Sequence, residues 1–303
     1  MATAPDRLRR ARPLLGTFVE ITVAHAAPDL VEAAVEAAFD AIARVHQRMS
    51  FHDPLSDVSR LNNHAAAGAV TVDPWTFQVL EAAVELHRRS AGAFDLGVAP
   101  VLQELGLLPG PSALPHSPSA TTMDGQIELL PGHRVRFRDQ HVAIDLGGIA
   151  KGFAVDRALD VLRERGLPQG LVNAGGDLAV FGPEPESVFI RHPLDPHRLI
   201  GHVQVANEAL ATSGNCIDLF GSGRATRRAI IDPRTQEPPR AIAGVSVRAP
   251  SCLMADALTK VVMIQGEDSV ALLDRYDAHA FVVSISGEIR VTSGWLDSKT
   301  LAA

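Results

Sequence analysis

The spacing of apolar residues predicts a strand followed by a long amphipathic helix near the amino terminus. Apolar and polar residues alternate over residues 17–23, which is typical of a strand with one buried face. Over residues 29–49, apolar side chains recur at intervals of four and three, so that one apolar face forms on a helix and the charged residues lie on the other. The apolar set is Val31, Val35, Ala38, Ile42, Val45 and Met49.

Residues that favour helix ends mark further helices. Asp73 is suited to cap a helix over residues 74–91, with Pro74 in its first turn and Gly92 as a left-handed stop. A third helix is predicted over 152–165, closed by Gly166, and a helix pair around 254–276. Strands are predicted at 133–138, 141–144, 171–173, 178–181, 188–191, 201–206, 243–248 and 279–292.

The order of these elements favours an α+β fold, because helices and strands mix without a regular βαβ alternation. Residues 106–124 are rich in proline, glycine and serine and are interpreted as a surface loop, not as a linker between domains. The prediction is therefore a single domain over residues 1–303.

Charge and composition exclude several classes of partner. The net charge of −7 has the wrong sign for general attraction to nucleic acid or anionic lipid. No stretch approaches the ~20 apolar residues of a membrane span, and Pro13, Gly16 and Glu20 interrupt the one segment that resembles a signal peptide. Cys216 and Cys252 lie 36 positions apart in unrelated contexts, which favours a reducing compartment. We therefore expect a cytoplasmic protein with no membrane insertion.

Residues 144–182 contain two glycine-rich turns that suit an anionic ligand. Gly147 and Gly148 follow a predicted strand and precede a helix whose first turn carries Lys151, so main-chain N–H groups and one ammonium group lie together. The same pattern also occurs as a simple tight connection, and it matches neither GxGxxG nor a Walker A loop. The second turn, NAGGD at 173–177, is typical of a hairpin between two strands.

The run DLGGIAKGFAVD with the later NAGGD resembles the signature of the ApbE family, the FAD:protein FMN transferases. Further blocks resemble the family in the same order, namely GT at 16–17, MSFHDPLSDVSRLN at 49–62, GAFDLGVAPV at 92–101, ATSGN at 211–215, IIDPRT at 230–235 and APSCLMADALTK at 249–260. The resemblance implies a T-fold-related α+β fold with one FAD site. It also implies a reaction in which Mg²⁺ assists transfer of FMN to a threonine or serine hydroxyl of a partner protein, with release of AMP.

The resemblance also implies which residues form the site. FAD contacts are expected from Leu15, His52, Ala93, Phe94, Asp95, Asp145, Lys151 and Ile230. Metal ligands are expected from the main-chain carbonyl of Gly148, from Asp256 and from Thr259. Lys260 stands where relatives carry a threonine ligand, and we assign it with Asp256 as a catalytic residue. His52 stands where relatives usually carry tyrosine.

Two departures from the family leave alternatives open. Asp256 and Lys260 are an i,i+4 pair, which forms either a surface ion pair worth ~0.3–0.5 kcal/mol or a site in which the ammonium replaces part of the metal's charge. Ala229 stands where relatives carry a histidine that assists deprotonation of the acceptor, and alanine is not a base. A non-catalytic FAD-binding protein and an FAD pyrophosphatase are therefore the alternatives to the transferase.

Overall fold

The computed structural model describes residues 7–24, 28–110, 123–214 and 230–295. Its helices are α1 (Pro28–Met49), α2 (Asp57–His64), α3 (Pro74–Arg89), α4 (Ala99–Glu104), α5 (Ala150–Glu164), α6 (Cys252–Gln265) and α7 (Val270–Arg275). Its strands are β1 (Arg7–Leu14), β2 (Thr17–Ala24), β3 (Val70–Thr71), β4 (Ile127–Leu130), β5 (Arg134–Phe137), β6 (Gly170–Ala174), β7 (Asp177–Phe181), β8 (Glu186–His192), β9 (Asp195–Val205), β10 (Ala209–Gly214), β11 (Ile242–Ala249), β12 (His279–Ser284) and β13 (Ile289–Val291).

In the described part of the chain, eight strands form one large sheet in the order β1-β2-β6-β7-β10-β11-β12-β13. The pairings within it are antiparallel. A small sheet of order β3-β5-β4 and the β8–β9 hairpin lie beside it. The predicted α+β class is therefore confirmed.

Both faces of the large sheet are covered at its centre, which explains why β7 and β11 are buried at every position. Ala179 and Phe181 of β7 belong to the main core, where α1, α5 and α6 pack. Leu178 and Val180, which point to the opposite face, belong to a second core with the β8–β9 hairpin and Trp295. The helices that carry the candidate site are thus fixed against a rigid sheet.

Most of the predicted elements are present, with the long helix at Pro28–Met49 and the capped helix at Pro74–Arg89. The Asp73 carboxylate accepts a hydrogen bond from the N–H of Trp75 at 2.9 Å, as expected of a cap. The helix ends at Arg89, before the predicted end at residue 91, and the left-handed backbone after it includes Ala91 as well as Gly92, with φ of +50° and +79°. The helix pair around 254–276 corresponds to α6 and α7.

Two strand predictions are wrong in detail. Residues 141–144 form no strand, because the Asn62 side chain takes the place of a neighbouring strand and bonds both the N–H and the C=O of Ile144, at 2.8 and 3.0 Å. The segment 279–292 is a hairpin of β12 and β13 in place of one strand.

The strand β1, which forms one edge of the large sheet, was not predicted from the pattern of apolar residues. Its arginines pair with acidic residues of three other elements: Arg9 with Glu20 of β2, Arg10 and Arg12 with Glu32 and Glu36 of α1, and Arg7 with Glu186 of β8. A strand stabilised in this way lacks the apolar alternation by which strands are found in sequences.

The main core contains residues from Val19 to Ala280. The assignment of one domain over 1–303 stays a prediction, and residues 111–122 of the proline-rich segment lie outside the described residues. Among the helices that the structure describes, none combines the length and the apolarity needed to cross a bilayer.

Candidate functional site

Two adjoining clefts contain most of the residues expected in the site. The first cleft, of about 390 Å³, is lined among others by Ala93, Phe94, Asp95, Asp145, Gly148, Lys151, Ile230 and Lys260. The second cleft, also of about 390 Å³, is lined by Leu15 and His52. The two clefts share Asp145, Gly147 and Lys151, so the chain brings all the expected FAD-contacting residues into one continuous region. Asp256 and Thr259 line neither cleft and are fully buried behind the first one.

The first glycine turn is held at the junction of the clefts by Asp145. The N–H of Asp145 donates to the carbonyl of Leu96 at 2.9 Å, and its carboxylate accepts the N–H of Gly147 at 3.0 Å. Burial raises the pKa of Asp145, although the hydrogen bond from Gly147 and the nearby His52 lower it in part. The turn leads directly into α5, whose second residue is Lys151.

The second glycine turn joins β6 to β7 and confirms the predicted hairpin. Gly175 and Gly176 have φ of +66° and +104°, a left-handed backbone that glycine adopts without strain. A Cβ on Gly175 would lie 2.6 Å from Thr17 Oγ1, so the NAGGD turn packs directly on the GT segment after β1. The turn delivers Asp177 into the buried first position of β7.

Asp177 forms an ion pair with Lys151 and was not among the expected site residues. The sequence contains an indication of this ion pair. Asp177 is the first residue of an otherwise apolar strand, and a buried aspartate requires a partner that compensates its charge. Ser213, which lines the first cleft and bonds Thr259 Oγ1 at 2.7 Å through its hydroxyl, was also not among the expected site residues.

Helices α5 and α6 cross at Gly152 with very little space between them. A Cβ at this position would lie 2.1 Å from the carbonyl oxygen of Cys252. The N–H of Gly152 donates to Asp256 Oδ2 at 3.0 Å across the crossing. The Asp156 carboxylate of α5 in turn accepts the first two N–H groups of α6, both at 2.8 Å. These contacts fix α6, and with it Asp256 and Lys260, relative to the start of α5, which carries Lys151.

The Asp256–Lys260 pair is not a surface ion pair, so that interpretation is wrong. Asp256 has no exposed area, and the Lys260 side chain is 16% exposed, toward the first cleft. The Lys260 ammonium contacts Asp256 Oδ1 and also donates to the main-chain carbonyl of Asp256 at 2.9 Å. An i,i+4 pair on a helix that is buried on most of its surface therefore forms part of the wall of the cleft.

Lys151, Asp177, Asp256 and Lys260 together form a group that we call the four-charge cluster. Burial alone would lower the pKa of Lys151, but the carboxylates of Asp256 and Asp177 outweigh it and raise this pKa above its usual value. Lys151 is therefore cationic at neutral pH, and both lysines face the first cleft while the carboxylates lie behind them. The cleft thus presents two positive charges to any ligand.

The residues around Asp256 do not fit Mg²⁺, which prefers six oxygen ligands at 2.0–2.1 Å. Lys260 occupies one carboxylate oxygen of Asp256 and the N–H of Gly152 the other. The Thr259 hydroxyl donates to the carbonyl of Asp256 at 2.6 Å. An ideal Cβ on Gly148 would lie 3.7 Å from Lys260 Cε, so the lysine stem also fills the space beside Gly148.

The charge of Lys260 also disfavours a divalent metal ion beside Asp256. A divalent ion 4 Å from the Lys260 ammonium would be repelled by about 8 kcal/mol at an effective dielectric constant of 20. Within the described ranges, no three or more His, Cys, Asp or Glu side chains are grouped so that they could hold a metal ion.

Asp95 shapes the cleft and is not a free ligand. Its carboxylate accepts the N–H groups of Gly97 at 2.6 Å and Met123 at 2.9 Å, and lies 3.4 Å from the ring of His87. Ala93, Phe94 and Ile230 supply apolar wall beside it. Ala229, which stands in place of the family's histidine, lies outside the described residues.

Comparison with known proteins finds a matching family model and similar proteins. A family model described as the ApbE family matches residues 15–282. The chain is 30% identical over 279 residues to a FAD:protein FMN transferase of Rhodobacter capsulatus, with 88% of this chain and 53% of that protein aligned, so it spans about half the length of that relative. It is 28% identical over 238 residues to a FAD:protein FMN transferase of Vibrio cholerae, with 74% and 71% aligned. The crystal structure of the ApbE protein from Thermotoga maritima superimposes with a TM-score of 0.85 at 27% identity, covering 97% of this chain and 99% of that one.

Proposed function

This chain belongs to the ApbE family, and we propose that it is a FAD:protein FMN transferase, which moves FMN from FAD to a threonine or serine hydroxyl of a partner protein and releases AMP. The observation that carries the proposal is the pair of ammonium groups, Lys151 and Lys260, in a cleft that continues into a second one. A dinucleotide has this distribution of chemistry, because its charged diphosphate lies between two larger and less polar ends.

The junction of the clefts suits the diphosphate. Lys151 lines both clefts, and the glycine turn at 147–148 allows the main chain to approach a ligand closely. The start of α5 adds the positive end of a helix dipole at the same place. The second cleft, which contains His52, Phe51 and Leu15, suits a flat ring system.

The reaction exchanges the phosphoanhydride bond of the FAD diphosphate for a phosphate ester bond to the acceptor. The acceptor hydroxyl oxygen forms a bond to the phosphorus of the FMN half, and the bond from that phosphorus to the bridging oxygen breaks. AMP leaves with the bridging oxygen and its electron pair, and the hydroxyl proton is released. Phosphoryl transfer depends mainly on positioning and on stabilisation of charge on the phosphate oxygens. Lys151 and Lys260 are placed to supply both.

Magnesium has no step in this proposal, because the residues around Asp256 do not fit it. The two ammonium groups are the cations that the described residues offer to the diphosphate. The cytoplasmic location expected from the sequence stays a prediction.

The test is incubation of the purified chain with FAD and a candidate acceptor protein. We expect AMP to appear in equal amount to flavin covalently bound to the acceptor. A matched acceptor in which valine replaces the target threonine should receive no flavin, because valine has the same shape and no hydroxyl. Lys151→Met should remove the transfer, since it removes a cation from the junction of the clefts.

Other outcomes identify the alternatives. Release of AMP together with free FMN would indicate an FAD pyrophosphatase. FAD that stays bound and unchanged would indicate a non-catalytic flavin carrier. Either result would contradict the transferase.

A further inference from the structure

We propose that Lys260 supplies, at the diphosphate of FAD, the positive charge for which a divalent cation would otherwise be needed, so that this chain binds FAD without a divalent metal. The inference rests on the proposed function for the identity of the ligand. Its own basis is the four-charge cluster, in which each buried carboxylate already has one lysine ammonium as its partner.

The cluster is balanced in charge as it stands. The two carboxylates, Asp177 and Asp256, are 1% and 0% exposed, and each is paired with one ammonium group. Buried carboxylates without a compensating cation are strongly unfavourable, and here each has one. A divalent ion added to this cluster would leave two positive charges uncompensated in the protein. A diphosphate in the cleft, in contrast, brings negative charge to the exposed side of the two lysines.

The choice of residue type supports the same conclusion. Of the 28 basic residues in the chain only three are lysines, and two of these are Lys151 and Lys260. A lysine ammonium is a compact point charge on a flexible stem, whereas the arginine head is a wide planar fork. Lys260 lies between the Asp256 carboxylate and the backbone at Gly148, where the compact head fits. The sequence thus departs from its general preference for arginine at the two positions where a small cation is needed.

The oxygen atoms near Lys260 that could bind a metal are already engaged in other contacts. Thr259 Oγ1 is engaged by the Asp256 carbonyl and by Ser213. Replacement of Lys260 by threonine would free one Asp256 oxygen and add a hydroxyl in the same turn of α6. The variant Lys260→Thr should therefore gain the metal requirement that the parent chain lacks.

The experiment measures FAD binding by the change in flavin fluorescence, first in EDTA and then in millimolar Mg²⁺. For the parent chain we expect the two dissociation constants to agree within about threefold. For Lys260→Thr we expect binding in EDTA to weaken by roughly 30-fold or more, and Mg²⁺ to restore most of the loss. Lys151→Met is the matched control, because it also removes one cation but leaves Lys260 in place; its binding should weaken and should not respond to Mg²⁺.

A second measurement does not depend on FAD. Mn²⁺ replaces Mg²⁺ as a probe, and its binding to the flavin-free chain is followed by electron paramagnetic resonance. The parent should leave Mn²⁺ free at concentrations at which Lys260→Thr binds it. Circular dichroism confirms that each variant is folded, and the comparison of EDTA with Mg²⁺ on the parent needs no variant.

The outcomes separate this inference from the proposed function. Binding of FAD to the parent that tightens more than about tenfold with Mg²⁺ would overturn the inference and leave the transferase proposal intact. Metal-independent binding without transfer to any acceptor would support the inference and contradict the transferase. Failure of the parent to bind FAD in either buffer would contradict both.

Discussion

Replacement of Gly152 by alanine tests the crossing of α5 and α6, on which the whole four-charge cluster depends. A Cβ at this position would lie 2.1 Å from the Cys252 carbonyl oxygen, 2.6 Å from its carbonyl carbon and 2.8 Å from Asp256 Cβ. The nearest atoms belong to the backbone of the facing helix, which does not rotate away as a flexible side chain would. The helices must therefore separate by roughly 1 Å to reach ordinary contact distances.

The expected loss of stability follows from three contributions. Overpacking of a tight core costs about 1–3 kcal/mol. Separation of the helices also stretches the hydrogen bond from the Gly152 N–H to the buried Asp256 carboxylate, now 3.0 Å long, at a cost of about 1–3 kcal/mol. Alanine regains about 1 kcal/mol through its better helix propensity. We expect a net loss of roughly 3 kcal/mol, which corresponds to a decrease of about 1 M in the urea midpoint.

The assay is urea unfolding followed by the fluorescence of Trp75 and Trp295, the two tryptophans of the chain. Gly148→Ala is the matched control, because a Cβ there would have no neighbour closer than 3.7 Å. We expect this control to unfold within about 0.5 kcal/mol of the parent. FAD binding by Gly152→Ala should also weaken, because separation of the two helices moves Lys151 on α5 away from Lys260 on α6. An unchanged urea midpoint for Gly152→Ala would refute the close crossing.

Three further variants test the charges and the second cleft. Asp256→Asn should lose roughly 3 kcal/mol in urea unfolding, because it leaves the Lys260 ammonium without its partner, and a variant as stable as the parent would argue against a buried pair. Burial raises the pKa of Asp156 to about 6, so its ionisation destabilises the fold as the pH rises from about 4 through 6. Relative to the parent, Asp156→Asn should therefore gain up to roughly 3 kcal/mol between pH 4 and pH 7, and urea midpoints with a constant difference would contradict this. His52→Tyr should tighten FAD binding about 2- to 10-fold through a larger ring, and unchanged fluorescence titrations would argue against a flavin ring in the second cleft.

Patterns within a short stretch of sequence predicted the helices that are defined by their own caps or by one apolar face. The helix α1 shows its apolar stripe, and α3 shows its cap and its glycine stop, because these features act within a few residues of chain. The edge strand β1 gave no such signal, since its partners in α1, β2 and β8 are known only once the chain has folded. The segment 141–144 was misread for the same reason, because Asn62 satisfies its backbone from 82 residues away.

Short motifs predicted residues that the fold brings to the two clefts, but they did not predict the electrostatics of these residues. The glycine turns and the position of Lys151 follow from residue types at fixed spacing. The spacing of Asp256 and Lys260 also shows that they can touch, but not whether the pair is in water or buried. That distinction depends on Gly152, which lies 104 positions before Asp256 and lets α5 cover the carboxylate.

Burial changes what Lys260 does. If the pair were exposed to water, the Lys260 ammonium and the Asp256 carboxylate would neutralise each other and add little to the stability of the protein. Such a pair would have no effect on a ligand. Behind the cleft, the carboxylate is out of reach of solvent and fixes the ammonium at the surface of the first cleft, beside Lys151. A fixed cation stabilises charge on a bound phosphate without reorganisation when the charge develops, which is the contribution that phosphoryl transfer requires most. On this proposal, Lys260 stands where the resemblance implies a metal ligand and exchanges one cation for another, while the buried Asp256 carboxylate holds it in place.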